Sequence, residues 1–199
     1  EYEAGLTTMF DKNAFGDAGA KVSVEDCLIG EELSVFAVCD GDDYVILNTA
    51  QDHKRAYDGD KGPNTGGMGA YSPTPLSTDD IMEKTKSTII EPTLKAMRDV
   101  GHPFVGFLYV GLMVVDGEPF VIEFNVRMGD PETQVVLPLL ETSLFELLWN
   151  ATHGKIKDST VKISQKTAVT VVLAAEGYPN SYPKGMEISG LEDDGLVFH

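Results

Sequence analysis

The alternation of apolar and polar residues along the chain predicts an antiparallel sheet with a few helices packed against it. Six runs have the β-branched and aromatic content of strands: 21–28, 33–39, 44–49, 107–115, 120–124 and 168–175. Gly41 and the two aspartates after it are typical of a hairpin turn, as is the Asp116-Gly117 pair. Because 107–115 is almost wholly apolar, the hairpin that it forms with 120–124 is predicted to be buried.

Helical spacing is strongest between the two halves of this strand pattern. Residues 77–100 predict a helix that Ser77 or Thr78 caps and Gly101 ends, with a kink or a break at Pro92. Two shorter helices are predicted from 131 to about 137 and from 142 to 153. The segment 51–75 has five glycines and three prolines, and it predicts a long loop.

Polar residues at alternate positions mark the end of the last hairpin strand. Glu123, Asn125 and Arg127 are spaced by two, so a regular strand would present all three on one face. A carboxylate and an amide oxygen are ligands suited to Mg²⁺, and an arginine beside them can hold a phosphate or carboxylate. The alternative is an edge strand whose polar face is merely solvated. Asparagine is a poor strand former, and this favours a site.

Two neighbouring segments add to this candidate chemistry. After Arg127, Asp130 is predicted to cap a helix that starts at Pro131. In the long loop, Lys54 and Arg55 precede glycines whose backbone N–H groups can approach an anion closely. We therefore expect the loop over 58–69 to lie at the mouth of the same cleft as Arg127. The alternative is a surface linker.

Composition narrows the function classes. A net charge of −17 excludes the basic footprint that nucleic-acid binding needs. Cys27 and Cys39 have no metal or redox spacing and predict free thiols in a reducing compartment. No apolar run is long enough to span a membrane, so we expect a cytoplasmic protein without a membrane partner. The four histidines are scattered, and no nucleophilic triad is visible, so the chemistry is expected from metal, cations and positioning.

Three stretches together resemble the glycinamide ribonucleotide synthetase family of ATP-grasp enzymes. Residues 24–32 are similar to the hinge of that superfamily, and residues 51–55 with 62–73 are similar to the family's substrate loop. Residues 123–134 are similar to its metal strand. The resemblance implies an α+β ATP-grasp fold, with an antiparallel sheet and packed helices followed by the start of a small β-rich C-terminal domain. The domains expected are a small-lobe remnant and hinge over 1–28, a large lobe over 29–160 and a partial C-terminal domain over 161–199.

The same resemblance implies a reaction and its residues. The reaction joins glycine to 5-phosphoribosylamine with ATP and Mg²⁺, or Mn²⁺ as an alternative, through a glycyl phosphate. Glu123 and Asn125 would bind the metal, and Arg127 would stabilise the acyl phosphate. The nucleotide contacts implied are Glu25, Asp26, Cys27, Leu28 and Glu32. The substrate contacts implied are Asp52, Lys54, Arg55, Gly66, Gly67, Asp130, Pro131 and Glu132.

The sequence departs from the family pattern in two ways. Gly111-Leu112-Met113 stands where many relatives carry a second acidic metal ligand. The chain also has no upstream lysine- and glycine-rich lobe, so we expect a fragment that folds in its middle and is inactive alone. We also expect it to be a monomer. Two alternatives stay open: a non-catalytic nucleotide-binding chain, or an ATP-grasp ligase for another phosphoribosyl amine. A longer reading frame with a lysine-bearing glycine-rich stretch would favour the ligase.

Overall fold

A six-stranded antiparallel sheet organises the molecule. The computed structural model describes residues 2–12, 14–191 and 195–199. Strand order is β7-β6-β1-β2-β5-β8, and a separate two-stranded hairpin is formed by β3 and β4. The strands are β1 (Glu31–Asp40), β2 (Tyr44–Asp52), β3 (Arg55–Tyr57), β4 (Lys61–Asn64), β5 (Gly69–Ser72), β6 (Val105–Val115), β7 (Glu118–Asn125) and β8 (Ala168–Val171).

Helices cover both faces of the sheet. The α-helices are α1 (Tyr2–Leu6), α2 (Asp79–Lys84), α3 (Glu91–Asp99), α4 (Thr133–Val136) and α5 (Leu144–Thr152). π-helical turns lie at Thr7–Asp11 and Thr85–Ile90, and 3₁₀ turns lie at Gly16–Ala20, Leu137–Leu139 and Ile156–Asp158. None of the helices in the described ranges is both long and apolar enough to cross a membrane.

The predicted long helix is present from Asp79 to Asp99, with Thr78 as its cap. The Thr78 side chain accepts a hydrogen bond from the backbone N–H of Ile81 at 3.4 Å. Its continuity is interrupted by the π-helical turn at Thr85–Ile90, directly before Pro92. Proline has no N–H to donate and its ring crowds the preceding turn. The irregularity therefore lies in the turn before Pro92.

β1 is buried on both faces because each face meets a different helix layer. Its odd-numbered residues, such as Val35 and Ala37, pack in one core with Leu94 of α3. Its even-numbered residues, such as Phe36, pack in a second core with Leu147 of α5. A strand covered on both sides has a continuous apolar pattern rather than an alternating one, as β1 does.

Four predictions need correction. The segment 51–75, predicted as one long loop, contains β3, β4 and β5, and β5 belongs to the main sheet. Residues 22–29 form no regular element, since an alternating pattern gives a strand only when another strand supplies hydrogen bonds. β7 is the edge of the sheet, and Phe120, Ile122 and Phe124 on it are between 43% and 45% exposed, so the hairpin is buried only on its β6 side. The last predicted strand ends at Val171.

That last strand pairs with β5 in the main sheet. Ala70 is opposite Thr170, and Tyr71 is opposite Val169. Residues on both sides of the predicted boundary near 160 therefore share one sheet. The division into three domains stays a prediction, and residues 192–194 of its last part lie outside the described residues.

Candidate active site

One face of the sheet is apolar at one end and polar at the other. Strand register places these polar side chains on the face that packs against α4 and α5: Glu32, Ser34, Asp52, Tyr109, Glu123 and Asn125. Residues directly opposite each other in an antiparallel pair point to the same side. Gly111 faces both Ser34 and Glu123, so the residues of three strands converge around a glycine that leaves room for them.

A β-bulge turns Glu123 toward this polar face. Gly111 is opposite Glu123, but the next residue, Leu112, is opposite Val121, so Ile122 is the extra residue. Without the bulge, Glu123 would share a face with Val121. The Asn125 Nδ2 atom donates to Glu123 Oε1 at 3.0 Å, which confirms the prediction that these two side chains lie on one face.

Arg127 lies beyond the end of the strand, so the spacing of two does not place it on that face. β7 ends at Asn125, the last residue paired with β6, and Arg127 lies in the bend that follows. Its side chain is exposed and its Nη1 donates to the Met128 carbonyl oxygen at 3.0 Å. The period of two fails because it holds only while the chain stays in the sheet.

The turn after Arg127 is anchored by a buried glutamate. Glu132 is 3% exposed, and its Oε1 accepts hydrogen bonds from Tyr109 at 2.8 Å and from Ser34 at 3.2 Å. The predicted helix cap is wrong: α4 begins at Thr133, and Asp130 instead accepts a hydrogen bond from Gln134 at 2.7 Å. Glu132 therefore ties the turn to the neighbouring strands β6 and β1.

Lys54 lies among the acidic residues of the polar face. Its Nζ is 2.6 Å from Glu32 Oε2 and 3.7 Å from Asp52 Oδ2. Burial disfavours the charged ammonium, but the hydrogen bond to Glu32 and the charges of Asp52, Glu32 and Glu123 outweigh it and raise the pKa of Lys54. Lys54 also lines a small depression together with Glu123, so the loop lies on the same side of the sheet as the metal candidates.

A cleft of about 720 Å³ opens beside Lys54. The predicted site residues that line it are Cys27, Leu28, Glu32, Asp52, Lys54 and Arg55. Asp58, Gly59 and Asp60 of the long loop line it too, but Arg127 is not among the described residues that do, so a cleft shared by the loop and Arg127 stays a prediction. Glu25 and Asp26 are exposed, and neither is among the described residues that line the cleft.

Sequence reasoning missed several residues of this region. His53, Tyr57 and Met113 line the cleft, and Ser34 and Tyr109 hold Glu132. Ser34 gave a signal, since it is the one hydroxyl in the apolar run 33–39. Tyr109 gave none, because a tyrosine is ordinary in a buried strand.

The glycine-rich loop is closely packed and its backbone donors are already used. The N–H groups of Thr65 and Met68 donate to the carbonyl oxygens of Lys54 and His53, each at 2.7 Å. The Gly67 N–H donates to Thr65 Oγ1 at 3.0 Å, and the Gly66 N–H donates to the Tyr178 hydroxyl at 3.1 Å. The expectation that these N–H groups stand free for a phosphate is therefore wrong for 65–68, although contacts of Gly66 and Gly67 with substrate stay a prediction.

Asp52 is an ionisable residue whose carboxyl group is buried. Its side chain is 3% exposed and its Oδ1 has no hydrogen-bond partner in the described part of the chain. Burial raises the pKa of Asp52 to about 6; Lys54 opposes the shift, and the charges of Glu132 and Glu32 add to it. The ionised form is thus costly in the folded protein.

Asn in place of Asp52 is expected to stabilise the protein at pH 8 but not at pH 4. The pKa of Asp52 is higher in the folded than in the unfolded chain, so the protonated side chain favours the folded state. This contribution is fully present below pH 3.8 and is lost as pH rises through 6. A shift of about two units corresponds to about 3 kcal/mol. Urea denaturation of both proteins from pH 4 to pH 8 measures the difference, and a constant difference between them would contradict the assignment.

The donor set at Glu123 and Asn125 fits a divalent cation that prefers oxygen. In the described ranges no three or more His, Cys, Asp or Glu side chains gather as a metal cluster, so the fit rests on this pair. Rotating the Asn125 amide would bring its oxygen toward the Glu123 carboxylate, and two oxygens in contact need a cation between them.

Comparison with known proteins shows which protein family the chain resembles. A family model described as "Phosphoribosylglycinamide synthetase, ATP-grasp (A) domain" matches residues 1–133. The chain is similar to a phosphoribosylamine–glycine ligase of Leptospira interrogans, with 48% identity over 99% of the chain and 46% of that protein. It is 48% identical to the ligase of that name from Mesorhizobium japonicum, over the whole chain and 48% of that protein.

A solved structure shares the fold. The crystal structure of the phosphoribosylamine–glycine ligase of Thermotoga maritima is 38% identical, with a TM-score of 0.82 over 96% of this chain and 49% of that one. The chain thus spans about half the length of the curated relatives it matches. The ATP-grasp fold and the α+β class expected from the sequence are confirmed.

Proposed function

We propose that this chain, which belongs to the phosphoribosylglycinamide synthetase ATP-grasp family, supplies the metal and substrate half of a phosphoribosylamine–glycine ligase. The family implies the use of ATP and a divalent metal ion, and the metal proposed is Mg²⁺. One observation carries the proposal: the Glu123–Asn125 pair, Lys54 and Glu32 converge on one face of the sheet beside an open cleft.

The reaction proposed has two steps. The carboxylate of glycine attacks the γ-phosphorus of ATP, which gives glycyl phosphate and ADP. The amine of 5-phosphoribosylamine then attacks the acyl carbon, phosphate leaves, and the nitrogen loses a proton to give glycinamide ribonucleotide. Such chemistry needs positioning of the substrates and stabilisation of charge rather than a side-chain nucleophile.

Residue roles follow from position on the polar face. Glu123 and Asn125 would hold Mg²⁺, which when bound neutralises charge on the phosphates of ATP. Glu32, at the cleft wall, would accept hydrogen bonds from the ribose hydroxyls, with Cys27 and Leu28 beside the adenine. Arg127 is exposed, its Nη1 donates to the Met128 carbonyl oxygen, and it would contact the acyl phosphate.

The remaining substrate contacts are assigned to the loop and the turn that face each other. Lys54 and Arg55 would supply positive charge in an acidic protein. Gly67 packs against Pro131, which brings the loop and the turn with Asp130 together. Glycine and 5-phosphoribosylamine are the proposed substrates. The proposed location is the cytoplasm, and the proposed oligomeric state is a monomer.

An assay of phosphate release tests the proposal. The protein assayed is a composite enzyme, in which this chain replaces the matching half of the Thermotoga maritima ligase. Release is expected only when ATP, glycine and 5-phosphoribosylamine are all present, and alanine or aspartate is expected not to replace glycine. Release without glycine, or with another amino acid in its place, would contradict the proposal.

Two controls complete the assay. A composite that does not fold by circular dichroism is replaced by one based on the Leptospira interrogans ligase, whose identity to the chain is higher. The chain by itself is assayed in parallel, which tests the expectation that it is inactive alone.

A further inference from the structure

Tyr178 reaches the glycine-rich loop from far along the chain. Its hydroxyl oxygen accepts the hydrogen bond from the Gly66 N–H at 3.1 Å, a contact between residues 112 positions apart. The partner of Gly66 thus comes from the segment after β8, on the far side of the boundary predicted near residue 160. The family resemblance assigned no residue of this segment to the site.

The segment that carries Tyr178 is fixed to the loop by its backbone. The Val172 N–H donates to the Met68 carbonyl oxygen at 2.9 Å, and β8 pairs with β5 immediately after the loop. A turn then places Tyr178, whose N–H donates to the Ala175 carbonyl oxygen at 3.1 Å. Half-buried Tyr178 is therefore a built part of the loop's surroundings rather than a freely moving side chain.

Aromatic packing orients the Tyr178 ring, and a cation lies near the partner ring of Tyr182. The rings of Tyr178 and Tyr182 meet edge to face with centroids 5.5 Å apart. The Lys184 ammonium lies 5.7 Å from the centroid of the Tyr182 ring. Lys184 thus supplies a positive charge in the segment that carries Tyr178, in a chain whose net charge is −17.

The phenol can do more than accept a hydrogen bond. A hydroxyl is both donor and acceptor, and the Tyr178 O–H donates to no acceptor in the described ranges. The hydrogen bond from Gly66 polarises the O–H group and makes it a better donor. Gly66 thus offers its donor capacity to a ligand indirectly, through Tyr178.

We propose that Tyr178 is a substrate-binding residue, whose hydroxyl donates a hydrogen bond to the phosphate of a phosphoribosyl substrate while it holds the loop at Gly66. This inference rests on the proposed function, since it takes the loop to be the substrate loop. The ligand class is a sugar phosphate monoester, because a neutral O–H donor that contacts the loop, on a segment that also carries Lys184, suits an anion presented to the loop.

Ribose 5-phosphate is the probe, and calorimetric titration of the chain is the measurement. Tyr178→Phe keeps the ring and removes only the hydroxyl, and it is expected to weaken binding about tenfold, as for loss of one hydrogen bond to a charged group. Tyr182→Phe is the matched control, with an expected change of less than about twofold. Titration with ribose, which has no phosphate, is expected to give the same result for both variants as for the unaltered chain.

The outcomes separate this inference from the proposed function. No binding of ribose 5-phosphate by the unaltered chain would contradict both. Binding by the unaltered chain that Tyr178→Phe leaves unchanged, or that Tyr182→Phe weakens equally, would overturn the role of Tyr178 alone. One measurement needs no variant: the amide resonance of Gly66 is expected to shift with ribose 5-phosphate and not with ribose, and equal shifts would also overturn the inference.

Discussion

Replacement of Glu123 by alanine is expected to lower the turnover of the composite enzyme by at least about a hundredfold. A metal ion at a phosphoryl-transfer site contributes several kcal/mol, and each 1.36 kcal/mol is about tenfold in rate. Glu123 is the one carboxylate of the proposed metal pair, because its partner Asn125 contributes only an amide. The loss should appear in turnover measured by phosphate release at saturating ATP.

Glu118→Ala is the matched control for this change. Glu118 lies on the same strand and is also exposed, but it lies at the turn end of the strand, where its carboxylate is 2.7 Å from the Lys84 ammonium. A surface ion pair of this kind contributes little, so turnover should change by less than about twofold. Unchanged turnover of Glu123→Ala at saturating Mg²⁺ would refute the metal role of Glu123.

Replacement of Gly67 by alanine is expected to lower the free energy of unfolding by about 3 kcal/mol. The φ angle of Gly67 is +128°, a conformation that residues with a Cβ rarely adopt. The added methyl group would also overlap the Cδ atom of Pro131, which is buried. Urea denaturation of the chain measures the change, and it should be accompanied by weaker binding of ribose 5-phosphate.

Gly59→Ala separates the two causes. Gly59 has a positive φ of +73°, but the nearest atom to an added Cβ is the flexible Cε of Lys61 at 3.9 Å. Only the conformational cost remains, about 1 kcal/mol. Equal losses in the two variants would contradict the expected overlap of the added methyl group with Pro131.

The longest strands of the sheet were largely predictable because their information is local, whereas β5 lies in a segment predicted as a loop. β1, β2 and β6 have long apolar runs bounded by glycine and aspartate, and the cap at Thr78 and the irregularity before Pro92 follow from single residues. The predicted strand over 21–28 failed because a strand also needs a neighbour. The exposure of β7 was missed because position within a sheet is not encoded by one strand's pattern.

The sequence by itself determined which residue types are available for chemistry: Glu123 and Asn125 for a metal, Lys54 and Arg55 for an anion, and glycines for a tight loop. Only the tertiary structure decided where they point. The bulge at Ile122 turns Glu123 to the polar face, and β7 ends before it reaches Arg127. Pairing across long separations buries Glu132 against Tyr109 and brings Tyr178 to Gly66. These arrangements depend on register and on contacts between distant segments, and neither is specified by local spacing.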